Sequence, residues 1–129
     1  MTVPLLSALL ATSESLADWQ PSDIEQGLAY VELGALASTV SELDASGAHD
    51  WSRLFAEVER RLATEPAARN LLVLGFLESL QNIELNRGRP LARWEPLLGP
   101  ETRVAWRAVI DFWAGRLSRD AAVHAFGAE

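Results

Sequence analysis

The stretch Arg69–Asn86, RNLLVLGFLESLQNIELN, constrains this chain more than any other. At ~100° per residue, Leu72, Val73, Phe76, Leu77, Leu80 and Ile83 fill one broad arc, while Asn70, Leu71, Leu74, Glu78, Gln81 and Asn82 share the other side. A helix apolar most of the way round needs neighbours on several sides. The stretch therefore reads as the central helix of an all-α domain of five to seven helices occupying residues 1–129. No alternating β-branched run and no Asn-Gly or Asp-Gly hairpin signal argues for a strand.

The remaining segments read as helices placed round this one. Val3–Asp18 carries Leu5, Leu9 and Leu16 near helical spacing. Ser22-Asp23-Ile24-Glu25 has the form of a capping box opening a second helix, with Gly47 to end it. Gly27 and Gly34 weaken that helix; Gly34 marks either a break or a close approach by a neighbour. Trp51, Leu54, Phe55, Val58 and Leu62 form the inward stripe of a third helix, whose Glu57, Glu59, Arg60 and Arg61 face water. The short Thr64-Glu65-Pro66 link sets that helix antiparallel to the central one. Asn86–Pro90 is the clearest loop, and Leu91–Leu98 a short helix or turn. Gly99-Pro100-Glu101 opens a helix bearing Trp106 and Trp113, and Arg119–Phe126 a last short one. Trp51, Trp106 and Trp113 fall on apolar stripes and are expected in the core.

Charge divides the chain unevenly. Residues 1–50 hold eight acids and no Lys or Arg, whereas residues 51–129 hold eleven Arg against ten acids, for a net formal charge of −7. Such a half repels nucleic acid and anionic membranes and attracts basic partners. An acidic, merely solvated helix surface gives the same pattern. With no cysteine, no signal sequence and no apolar run near the ~20 residues of a membrane span, a cytoplasmic protein is expected.

Catalytic signatures are missing. The two histidines, His49 and His124, have no Glu-x-x-His partner, so neither a metal nor another cofactor is expected. No Gly-x-Ser-x-Gly elbow and no phosphate loop is present. The sharpest polar feature is Glu78, Gln81 and Asn82 on an otherwise apolar helix. Either these residues bond the backbone of an adjoining loop, Gly88–Pro90 or Gly99–Pro100, or they belong to a partner surface with Leu71 and Leu74.

The run Leu71-Leu72-Val73-Leu74-Gly75-Phe76-Leu77-Glu78-Ser79-Leu80-Gln81-Asn82 resembles the (V/L)-x-G-F-L-E-x-L-Q-N signature of a small bacterial helical family. Leu98-Gly99-Pro100-Glu101, followed by Trp106 and Phe112-Trp113, resembles its second block. Some members look like immunity proteins of polymorphic-toxin or contact-dependent inhibition systems. The resemblance covers about Trp51–Gly115 and implies a non-enzymatic protein that binds and neutralises a cognate toxin. A helical adaptor with no toxin partner is the alternative. If the toxin presents a basic groove, Glu25, Glu32, Glu42 and Asp44 of the second helix are the acids expected to meet it.

Overall fold

The computed structural model describes residues 4–22, 27–47 and 49–113. The fold is all-α, and no strand occurs among the described residues. Five α-helices are described: α1 (Pro4–Leu10), α2 (Ala29–Ser46), α3 (Ser52–Thr64), α4 (Glu78–Asn86) and α5 (Pro100–Trp113). Short 3₁₀ turns occupy Glu14–Leu16, Pro66–Ala68 and Leu91–Leu97. None of the described helices is long and apolar enough to cross a membrane.

The central segment is inside, as its composition demands. Leu72, Val73, Phe76, Leu77 and Leu80 are fully buried. Its winding is unexpected: Leu71–Leu77 is π-helical and runs directly into α4, with the Glu78 N–H bonding the Val73 carbonyl five residues back. Wider winding turns less per residue than an α-helix, so everything beyond it comes round late. Uniform spacing puts Ile83 in the core and Gln81 on the other side. Instead Ile83 is half-buried and Gln81 is buried.

The main neighbour of the central segment is α2, which runs in the same direction. Gly34 lies against Gly75 and Ser79, Ser41 reaches Glu84, and Asp44 reaches Arg89. Glycine makes the close approach possible. A Cβ at Gly75 would stand 3.2 Å from Leu33 Cβ and 3.6 Å from Tyr30 Cα. The helix shows no break at Gly34, which settles that choice in favour of close packing. It begins at Ala29 because Gly27 has φ 84, outside helical space, and Leu28 is the N-cap. The capping box at Ser22 thus opens no helix continuous with α2; Asp23, Ile24 and Glu25 lie outside the described residues. Gly47 ends α2 in extended backbone.

The stripe on α3 is as expected, with Trp51, Leu54, Phe55, Val58 and Leu62 all buried. Phe55 touches both Phe76 and Trp94, at 6.0 and 5.8 Å between ring centres. The predicted first helix is shorter than Val3–Asp18: α1 stops at Leu10, and Ser13 caps a separate 3₁₀ turn by accepting the Ser15 N–H. Trp106 is buried, but Trp113 is 55 % exposed, contrary to expectation. It leans edge-on against Phe112, beyond Val109, the last core residue of α5. The segment expected as a final helix, Arg119–Phe126, lies outside the described residues.

Glu59 does not face water. It crosses to the start of α5, where Oε1 accepts the Thr102 N–H and hydroxyl, each at 2.8 Å, and Oε2 accepts the Glu101 N–H at 3.1 Å. A carboxylate from α3 thereby caps the N-terminus of another helix. Its partial burial pushes the carboxyl pKa up, but the bonds from Thr102 and Glu101 more than offset this and hold it below the ordinary glutamate value.

Candidate functional site

Two polar or mixed regions flank the α2–central helix seam, one inside and one open. The inner region is a bonded network around Glu84, itself fully buried. Its Oε1 accepts the Ser41 hydroxyl and lies 3.4 Å from Arg89 Nη1, while Oε2 accepts the Trp94 indole N–H at 3.0 Å. Arg89 Nη1 also donates to the Ser41 carbonyl at 3.0 Å, and Arg87 donates to Ser41 Oγ at 2.9 Å. Asp44 completes the cluster. Its Oδ2 is 2.5 Å from both Arg89 and Arg93, and its Oδ1 accepts the Trp51 indole N–H at 3.2 Å. The loop after α4 is thus clasped to α2. Within this cluster each charge has an opposite charge or several donors, the condition for ions to persist in a protein interior.

Sequence reasoning missed Glu84. The signal available was that Val73, Leu77 and Leu80 lead to Glu84 at i+4, i+7 and i+11, so an acid stands on a core stripe. Eleven Arg confined to residues 51–129 hid the pairing, because the cations that neutralise Asp44 come from the loop that folds back onto α2.

The open region is a groove of about 530 Å³ on the outer side of the same seam. Tyr30, Val31, Gly34 and Ala35 of α2 form one wall; Leu74, Ser79, Asn82 and Ile83 form the other. Tyr30 and Val31 are half-exposed, and Leu28 and Leu85 lie exposed beyond the two ends. Glu78 stands one turn from both Leu74 and Asn82. It makes no hydrogen bond or ion pair among the described residues, and its partial burial raises its carboxyl pKa.

The seven residues singled out from sequence do not form one surface. Glu25 lies outside the described residues. Glu32 is fully buried, not on an acidic face: its Oε2 accepts the Gly27 N–H at 3.1 Å, and its Oε1 has no partner among the described residues. Asp44 is likewise withdrawn from that face, because two guanidiniums and an indole hold it inward. Glu42 is exposed. Of the polar trio, Gln81 is buried and donates to the Trp106 carbonyl at 2.9 Å, a backbone partner on α5 and not in either loop considered. Asn82 is exposed in the groove, beside half-buried Glu78. The trio therefore divides, Gln81 structural and Glu78 and Asn82 outward.

Among the described residues, no group of His, Asp and Glu could hold a metal ion. Ser15 Oγ and His49 Nδ1 lie 3.1 Å apart on the surface, and the imidazole stacks on Trp51. No carboxylate bonds that imidazole among the described residues, so the pair lacks the orienting acid of a nucleophilic triad. No family model, curated protein or solved structure matches the chain.

Proposed function

We propose that this chain is a non-enzymatic immunity protein that binds and neutralises a basic toxin domain, with the groove between α2 and the central helix as its contact surface. The observation that carries the reading is the groove itself: half-exposed Tyr30 and Val31 face Leu74 and Ile83, and Glu78, outside the lining but one turn from both Leu74 and Asn82, supplies an acid at its edge. Apolar side chains gathered in a rimmed depression mark a protein-binding surface better than scattered surface residues do. The excess of acid in residues 1–50 and the likeness to immunity proteins support a basic toxin as the partner. An adaptor with another partner would use the same surface.

The test is co-expression with the toxin domain encoded beside this gene, followed by measurement of the complex. Immunity requires rescue of growth and a dissociation constant of about nanomolar or below, near −12 kcal/mol. Binding without rescue favours the adaptor. No binding at micromolar concentration removes the immunity reading.

A further inference from the structure

We infer that the groove takes an amphipathic helix that carries an Arg or Lys toward Glu78. This rests on the groove being a partner surface, and it specifies the segment received there. The first argument concerns backbone. Both walls are helices, whose N–H and C=O groups bond within their own chains. An extended peptide laid between them finds no ladder to join and would leave its own polar groups unpaired. A helix brings its backbone bonds with it. The lined stretch of the central segment, Leu74 to Ile83, rises about 14 Å, the length of roughly two and a half turns.

The second argument concerns charge. Neither 29–46 nor 70–86 contains a Lys or Arg, so neither wall offers a cation. The acids rising beside the groove are Glu78, one turn from Leu74, and exposed Glu42, which continues the line of Val31, Ala35 and Ser38 on α2. The arginines nearest in sequence are engaged elsewhere: Arg69 with the Leu62 carbonyl and Glu101, and Arg87, Arg89 and Arg93 with Ser41, Asp44 and Glu84. Partial burial of the Glu78 carboxylate, with no compensating donor, leaves it able to gain more from an incoming cation than a fully solvated acid could.

The experiment titrates the isotope-labelled full chain with three synthetic peptides of about 14 residues, long enough to cover the groove. One is an amphipathic helix with Leu on one face and Arg along its edge. The second replaces Arg by Glu, and the third interrupts the basic helix with proline. The first should shift amides in 30–35 and 74–83 and saturate. Glu78→Lys and Val31→Ser should each weaken it about tenfold or more, whereas Asp18→Lys, a reversal at an exposed acid in the segment between α1 and α2, should not. Val31 is half-exposed, so Val31→Ser remains decisive if Glu78→Lys disturbs folding. Equal binding by the acidic or proline-containing peptide, shifts elsewhere, an equal effect of Asp18→Lys, or no binding overturns the inference. The same variants then enter the growth assay. Rescue undiminished by Glu78→Lys and Val31→Ser rejects the groove helix and leaves immunity standing. Peptide binding with no toxin neutralised does the reverse.

Discussion

Replacing Gly99 by alanine should damage a bond in which Gly99 takes no part. A Cβ built there would fall 2.5 Å from Glu59 Cγ and Cδ and 2.6 Å from Oε1, so the Glu59 side chain must retreat by roughly an ångström to ordinary contact. Its bonds to Thr102 and Glu101, now 2.8 to 3.1 Å, cannot survive that displacement. Loss of a side-chain cap costs about 0.5–2 kcal/mol, and loss of a carboxylate at a helix N-terminus about 0.3–1 more. Glu59→Ala should therefore destabilise by about 0.8–3 kcal/mol in urea unfolding. Gly99 does not have positive φ, so alanine also narrows the unfolded ensemble and returns about 0.4–1 kcal/mol. Gly99→Ala alone should thus lose up to about 2.5 kcal/mol net, yet be neutral or stabilising once Glu59 is already alanine. That reversal of sign is the diagnostic. A Gly99→Ala penalty of the same size in both backgrounds would refute the trans-cap. The pH dependence gives a second check. Because the folded pKa of Glu59 lies below its ordinary value of 4.5, its stabilisation is complete above that value and fades as pH falls through the folded pKa. Glu59→Gln should flatten the stability profile in that acid window.

Phe76 is fully buried against Phe55, so Phe76→Ala should cost about 3–5 kcal/mol in the same assay, and an unchanged urea midpoint would displace it from the core. Glu84→Ala leaves the buried Trp94 indole N–H without its acceptor, while Arg89 keeps Asp44 and the Ser41 carbonyl, and should lose about 1–3 kcal/mol; Asp44→Lys should likewise show first as lost folding, measured by thermal melting, before any effect on a partner. Gln81→Ala should lose about 1–3 kcal/mol with the bond to Trp106, whereas exposed Asn82→Ala should stay within about 0.5 kcal/mol, and equal losses at both sites would contradict the division of the trio.

The elements most legible in sequence were those whose period is uniform. Trp51, Leu54, Phe55, Val58 and Leu62 repeat at α-helical spacing and are buried as a set. The acids were less legible, because a carboxylate's surroundings are decided by whatever folds onto it. Glu59 finds the start of α5, and Asp44 finds Arg89 and Arg93, across separations that no local pattern encodes. Of the candidate surface, Asn82 and Leu74 were visible in sequence, but the Tyr30–Val31 wall was not: an apolar or aromatic residue on a helix gives no local sign of whether a neighbour covers it.

The π-wound stretch has a consequence for insertions and deletions. Relative to a plain α-helix, Leu71–Leu77 holds about one residue of slack, like an expansion joint in a rail. Removing one residue there, for instance Leu74, takes up the slack: the stretch becomes ordinary α-helix, and α4 keeps its facing, with Gln81 and Glu84 still inward. Removing Ser79, within regular α4, has no slack to draw on and turns every later side chain by about 100°. Two deletions five residues apart should then behave differently. The first should leave a folded chain in which Gln81 still meets the Trp106 carbonyl, and the second should drive Glu84 away from Trp94 and undo the clasp on α2.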